Sequence, residues 1–454
     1  MSICSIILAA GEGKRMKSKI AKPLQVAGGK ALIDWVLDAV SGAGAERNIV
    51  VIGHMADSMR AHLGEAVEYA TQHEQLGTGH AVMQGIEPIS AENGTVMVVC
   101  GDAPIVTAET LKAAYCEHSA SDRAATVITA VCDDPTGYGR IVRNNGNVVK
   151  IVEQKDATEE EKAIKEMNSG MYMFDIQKLK AALSKLSNNN AQGEYYLTDV
   201  IEILINEGET IGAYVADFEE TIGVNDRIQL AEADRILNKR MVYNLMRDGV
   251  CVINPETVRV EADVKVGCDT VIYPGTILEG NTIIGEDCVI GPNTRIKNCK
   301  IGNGTEVQSS VALDSEIGDN TSVGPFAYIR PNSKIGNNIK VGDFVEVKNA
   351  TIGNGTKISH LTYVGDADVG ERVNFGCGTV TVNYDGVNKH RTTIEDDCFI
   401  GCNTNLVAPV TVKKYSYTAA GSTITDEVPE ESLAIARARQ VVKQGWRKTK
   451  YRKN

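Results

Sequence analysis

Three short stretches carry residue types that can do chemistry. Leu8, Ala9, Ala10, Gly11, Glu12, Gly13, Lys14 and Arg15 close an apolar run that begins at Ile3. Glycines there let backbone N–H groups approach a phosphate chain, and Lys14, Arg15 and nearby Lys22 supply positive charge. The spacing matches neither a Walker-type phosphate loop nor GxGxxG, which disfavours a P-loop ATPase and a dinucleotide-dependent dehydrogenase. Gln72 to Ala81 reads QHEQLGTGHA, with Gly77 and Gly79 around Thr78, a loop able to hydrogen-bond a nucleobase edge. Cys100, Gly101 and Asp102 follow the run Val96 to Val99, and a carboxylate at the carboxyl end of a parallel strand is where open α/β sheets bind ligands. Asp102 is thus a candidate ligand for a hard divalent cation such as Mg2+. His360, in ISHLTY, follows Ile358 by two and is expected to point outward, where an imidazole can take a proton from an amine. The plain alternatives are a structural turn, a helix N-cap and an idle surface histidine.

Two kinds of element must position these residues. Up to about residue 225, β-branched runs such as Ile49 to Ile52 and Thr126 to Val131 alternate with helical patterns such as Leu32 to Val40 and Ala108 to His118. That alternation predicts a parallel sheet flanked by helices. Asn225 to Arg247 then carries a helical apolar stripe that could link two domains. Beyond it the period becomes six: Val266, Ile272, Leu278, Ile284, Ile290 and Ile296, continuing with small slips through Phe375 and resuming from Ile394 to Val412. One inward aliphatic per six residues makes no core alone, but three such units per coil, stacked, bury a continuous column, as in a parallel β-helix. Thr381 to Thr393, TVNYDGVNKHRTT, lacks the pattern and is expected to loop outward with polar and aromatic groups suited to a substrate. The tail carries Arg437, Arg439, Lys443, Arg447, Lys448, Lys450, Arg452 and Lys453 after the last acidic residue, Glu431, which implies an anionic partner.

Composition narrows the classes. The 454 residues suffice for two or three domains, and a net charge of −12 argues against general attraction to nucleic acid or anionic lipid. No run approaches the ~20 apolar residues of a membrane helix. The 11 cysteines form no CxxC pair, which suggests a reducing cytoplasm, free thiols and no cysteine-built zinc site.

LAAGEGKRM at Leu8, EQLGTGHA, DDPTGYGRI at Asp133, VEQKDA at Val152, AQGEYYLTD at Ala191 and GVNDR at Gly223 together resemble the sugar-phosphate nucleotidyltransferases. With IRP at Ile329, VEVKNA at Val345, ISHLTYVGD at Ile358, VNYDG at Val382, LVAP at Leu406 and GWR at Gly445, nearly the whole chain resembles the bifunctional N-acetylglucosamine-1-phosphate uridylyltransferase/glucosamine-1-phosphate N-acetyltransferase family. The resemblance implies an α/β fold: a Rossmann-like nucleotidyltransferase domain over 1–224, a linker helix over 225–249, and a left-handed parallel β-helix of hexapeptide repeats with a basic tail over 250–454.

By that resemblance Leu8, Ala9, Ala10, Gly11, Lys22, Gln72, Gly77, Thr78 and Gly101 contact the nucleotide. Gly139, Glu153, Asn168 and Asn225 hold the sugar phosphate, and Asp102 and Asn225 bind Mg2+. In the second half His360 is the base. Arg330, Lys348, Tyr363 and Asn374 hold the sugar phosphate, and Cys377, Asn383, Tyr384, Cys402, Ala420 and Arg437 face acetyl-CoA. Three cysteines depart from the family pattern: Cys402 for serine, Cys377 for a small residue and Cys100 for an aromatic. Small-molecule substrates, UTP and acetyl-CoA among them, a homotrimer and a role in cell-wall precursor synthesis are further expectations. Two readings compete: a nucleotidyltransferase for another sugar or base whose β-helix only oligomerises, and a non-catalytic scaffold.

Overall fold

The computed structural model describes residues 3–90, 93–190 and 192–447. Lys448, Lys450, Arg452 and Lys453 of the basic tail, and Ala191, lie outside the described residues. The chain divides into two compact units, Met1–Leu237 and Asn238–Asn454, so the division falls within the helix Arg227–Arg247.

The first unit is built on one mixed sheet. Strand Ile3–Leu8 is buried on both faces, as a central parallel strand must be, and it lies between Arg47–Ile52 and Thr95–Cys100. Glu68–Thr71 extends the parallel side beyond Arg47–Ile52. On the other side Glu166–Asp175 runs antiparallel to both Thr95–Cys100 and Ala125–Val131, and Ile211–Val215 closes that edge. Strand order therefore reverses between Ile3–Leu8 and Thr95–Cys100, which opens a crevice at their carboxyl ends. Helices Leu32–Gly42 and Ala108–Ser119 bury aliphatic residues in one apolar cluster, and Thr78–Ile86 does so in another. Thr107 caps the second of them by accepting from the Thr110 N–H.

The second unit is a left-handed parallel β-helix with three sheets, of 11, 10 and 9 strands among the described residues, in which every pairing is parallel. Hexad spacing becomes rung register: Ile272 pairs with Ile290 and Ile290 with Val307, each one coil further on. Ile272, Leu278, Ile290, Ile296 and Ile358 are fully buried in the resulting column. Positive φ at corner residues such as Asn293 (51°) and Asn320 (51°) turns the chain from one face to the next.

The outward excursion is shorter than its sequence suggests. Val380–Val382 and Thr392–Ile394 are strands, and both Thr381 and Thr392 are buried. Thr381 stays inside because its hydroxyl accepts from the Gly365 N–H and donates to the Gly365 carbonyl, which removes the cost of burying it. The loop proper is therefore 383–391.

His118 is buried against Thr126, with 3.0 Å between its Nδ1 and the Thr126 hydroxyl, and burial pushes its imidazole down from the ordinary 6.5 to about 4. The native state holds this ring neutral, whereas the unfolded chain takes up a proton below about 6.5. The first unit should thus lose on the order of 2–3 kcal/mol as pH falls from about 6.5 to about 4, and none above that window. Denaturant unfolding of this unit across that range is expected to show the slope in the wild type and its loss in His118→Leu.

Candidate active sites

The crevice at the strand-order reversal holds a cavity of about 280 Å3. Its walls include Leu8, Ala9, Ala10, Gly11, Lys22, Gln72, Gly77, Thr78 and Asp102, so eight of the nine residues expected at the nucleotide share one pocket with the candidate metal ligand. The ninth, Gly101, donates its N–H to the Leu8 carbonyl at 2.9 Å and ties the two strand ends together. A Cβ on Gly11 would project into open space, so this backbone faces the cavity bare.

Gln72 and Thr78 also build the wall. Gln72 is buried and donates to the Gly77 carbonyl at 3.1 Å. The Thr78 hydroxyl accepts from the Leu197 N–H at 3.1 Å, and the Gly79 N–H reaches the Tyr195 carbonyl at 2.7 Å. The segment around Tyr195 thereby straps the Gly77–Gly79 loop in place and brings Glu194 to the cavity. Glu194 and Gln75, which also line it, lie inside quoted motifs, but nothing in their spacing marks them as pocket residues.

Asp102 and Asn225 converge although they are far apart in the chain. The Val224 N–H donates to the Asp102 carbonyl at 2.8 Å. The Lys22 ammonium pairs with the Asp102 carboxylate and donates to Asn225 Oδ1 at 3.3 Å, while Arg15 donates to the same oxygen at 2.8 Å. Two side-chain oxygens thus face one cation, and both members of the Lys22–Asp102 pair are only 17% exposed.

A second group gathers beside this pocket. The Asn168 N–H donates to the Gly139 carbonyl at 2.9 Å, and a Cβ on Gly139 would lie 3.6 Å from Glu153 Oε1. Burial pushes the Glu153 carboxyl up, and its remaining partner is the Thr198 hydroxyl at 3.4 Å. The Asn168 amide donates to the Tyr172 hydroxyl at 2.7 Å, which fixes its plane.

In the second unit His360 is 57% exposed. Strand alternation from Ile358 alone would return position 360 to the inward face; the corner at Leu361, φ 45°, turns the chain and leaves the imidazole outside. Its Nδ1 lies 2.7 Å from Asp343 Oδ1, and Asp343 is its partner on the preceding rung. Asp343 escapes sequence reasoning because only the rung register sets it beside His360.

On the neighbouring face, Arg330 and Lys348 occupy successive rungs, and Glu346 orients the guanidinium at 2.6 Å. Tyr363 folds back over Gly365, where any Cβ would strike its ring. Asn383 donates to the Tyr363 hydroxyl at 3.3 Å and to Asp366, and Lys348 lies 3.8 Å from the same carboxylate. Burial works to raise the Asp366 carboxyl, but hydrogen bonds from Asn349 and Asn383 outweigh it and hold the group below the usual range. Lys389, from the loop, has its ammonium pushed down by neighbouring Lys348. The structure therefore groups Asn383 with Tyr363, Asp366 and Lys348, two of them expected at the sugar phosphate, while Tyr384 is exposed and donates to the Gly386 carbonyl at 2.6 Å. Asn374 pairs with Lys357 and Phe399 on the sheet that carries His360.

The remaining expected residues form one column. Ile358, Phe375, Ile400 and Thr418 are successive rung partners, so His360, Cys377, Cys402 and Ala420, each two residues on, stack along the same corner. The Asn403 N–H donates to the Cys377 carbonyl and the Gly421 N–H to that of Cys402. Arg437 passes over Gly421, its Cδ 3.9 Å from where a Cβ would stand. Burial pushes the Cys100 thiol up to about 12, so it stays protonated.

Two outcomes follow from this geometry. Gly77 sits at φ 107°, and a Cβ there would lie 2.6 Å from the Tyr195 carbonyl, so Gly77→Ala should weaken nucleotide binding by about tenfold or more in a calorimetric titration. Maleimide should block chemistry at the β-helix site faster than chemistry at the crevice, and Cys377→Ala with Cys402→Ser should remove the difference.

A nucleotidyl transferase family model matches residues 4–229, and the bacterial transferase hexapeptide (six repeats) model matches residues 263–298 and 314–349. The "Bifunctional protein GlmU" of Geobacillus sp. (strain WCH70) is 58% identical over 97% of this chain and 97% of its own length. That of Geobacillus thermodenitrificans (strain NG80-2) is 56% identical over 97% of both chains. That of Acetivibrio thermocellus is 54% identical over 98% of this chain and 97% of the relative. With the first pattern on the unit that holds the cavity and the second on the unit that carries His360, the chain belongs to the GlmU family of bifunctional transferases.

Proposed function

We propose that the second unit acetylates glucosamine 1-phosphate from acetyl-CoA and that the first unit transfers UMP from UTP to the product, giving UDP-N-acetylglucosamine and pyrophosphate for cell-wall synthesis. The observation that carries this reading is the presence of two separately built sites, one a crevice lined by bare backbone and the Lys22 ammonium, the other an imidazole oriented by Asp343 on a β-helix whose neighbouring face carries Arg330 and Lys348.

In the first reaction of the acetyl unit, Arg330 and Lys348 hold the phosphate and Tyr363 and Asn374 the sugar. The amine nitrogen attacks the thioester carbon, His360 takes the N–H proton at Nε2, and the departing CoA thiolate takes a proton back from the imidazolium. Cys377, Cys402, Ala420 and Arg437 line the approach of the coenzyme, with the loop that carries Tyr384 beside it.

In the uridylyl unit, bare backbone at Leu8–Gly11 and the Lys22 ammonium hold the triphosphate, Gln72, Gly77, Thr78 and Gly101 frame the base, and Gly139, Glu153 and Asn168 hold the sugar. A sugar-phosphate oxygen attacks the α-phosphorus and pyrophosphate leaves. A phosphate monoester is already ionised at neutral pH, so this site works by positioning and charge neutralisation and needs no protein base. Asp102 and Asn225 fit Mg2+: they present two oxygens to one cation, now the Lys22 ammonium, and Mg2+ usually takes only one or two ligands from protein. When bound, the ion would neutralise charge on the phosphate oxygens.

Among the described residues no helix is long and apolar enough to cross a membrane. We read the protein as a cytoplasmic homotrimer, a form that the outer faces of a β-helix permit by packing side by side.

His360→Ala should lower CoA thiol release with glucosamine 1-phosphate by about a hundredfold or more while leaving pyrophosphate release intact. Asp102→Ala should do the reverse. Undiminished thiol release in His360→Ala would remove the base from the mechanism.

A further inference from the structure

We propose that Asp343 is a positioning residue for the acetyl transfer, fixing the tautomer of His360 and stabilising its imidazolium; this rests on His360 being the base. A carboxylate only accepts hydrogen bonds, so 2.7 Å between Asp343 Oδ1 and His360 Nδ1 requires the ring proton to sit on Nδ1. Nε2 is then left with its lone pair, which is the form that takes a proton from an amine. As the proton arrives at Nε2, positive charge develops on a ring already in contact with a negative group.

The fold holds the pair in place. Asp343 and His360 are register partners in adjacent parallel strands, Lys340–Asp343 and Lys357–His360, so about 4.8 Å of rung spacing sets their backbones. The Leu361 N–H donates to the Asp343 carbonyl at 3.0 Å, and the Thr362 hydroxyl donates to the His360 carbonyl at 2.7 Å, which fixes both sides of the corner. The hydrogen bond from His360 in turn holds the Asp343 carboxyl below its usual range, so it stays ionised at neutral pH.

The pair is poorly suited to a purely structural role. Side-chain exposures of 57% for His360 and 38% for Asp343 leave it open to water, where an ion pair adds little to stability. The charged and titratable groups on the elements packed around the ring are Asp343 and Lys340 on the preceding strand, Lys357 on its own strand, Cys377 on the following rung and Tyr363 past the corner. Asp343 alone among them is a hydrogen-bond partner of the ring, so it should set the acid limb of the reaction.

The test measures CoA thiol release against pH for the full-length protein and for Asp343→Ala, Asp343→Asn and Asp343→Glu, with pyrophosphate release from UTP as the check on folding. Asp343→Ala is expected to lower kcat by about ten- to a hundredfold with little change in KM for glucosamine 1-phosphate. Removing the negative charge lowers the affinity of the imidazole for its proton, so the acid limb of kcat/KM should move to lower pH in both Asp343→Ala and Asp343→Asn. Asp343→Glu should restore part of the rate. An unchanged kcat, or a reduced kcat with an unmoved acid limb, would overturn the assignment. His360→Ala, measured alongside, separates the two ideas: if it retains full activity the base itself is wrong, whereas its loss with silent Asp343 variants leaves the base standing and removes Asp343 alone.

Discussion

Rung register in the β-helix is the constraint on which the second site depends. Parallel pairing at a fixed separation means that a side chain cannot move toward a neighbour without its whole coil moving, and the coil is held by a fully buried aliphatic on each face. Asp343, His360, Cys377, Cys402 and Ala420 are therefore spaced by backbone hydrogen bonds and not by their own contacts. Flexible side chains become a ruled surface. A site of this kind suits the joining of two extended substrates, because each finds its contacts along a row of coils.

The first site solves a different problem with a different element. A parallel sheet gathers strand ends, and where strand order reverses it leaves backbone N–H groups and one carboxylate around open space. Lys22 lies between Asp102 and Asn225 and keeps two oxygens from facing each other without a cation. The same lysine is available to phosphate oxygens once those two oxygens are otherwise engaged. Preorganisation here is electrostatic, whereas in the β-helix it is geometric.

Much of this was legible in the sequence because it follows from period or from strand ends. Six-residue spacing announces the column, and Asp102 announces itself as the first carboxylate after a β-branched run. Asn225 follows from resemblance alone; the Val224 N–H bond to Asp102 is what brings it beside that carboxylate. Asp343, Asp366 and Glu194 were not legible. Asp343 is one coil away from its partner, Asp366 is recognisable only once Asn349, Asn383 and Lys348 surround it, and Glu194 arrives on a strap held by Gly79 and Thr78. Thr381 misled in the other direction, since a polar residue in an aliphatic register reads as a break until its hydroxyl is seen to be satisfied.

A serial pair of reactions, in which one unit makes the acceptor for the other, is the central claim. It is tested most directly by incubating the protein with glucosamine 1-phosphate, acetyl-CoA, UTP and Mg2+ and following nucleotide sugars by chromatography. Accumulation of UDP-N-acetylglucosamine, with CoA thiol and pyrophosphate released in equal amounts, is the predicted result. Release of pyrophosphate without CoA thiol, or of thiol without any nucleotide sugar, would contradict it.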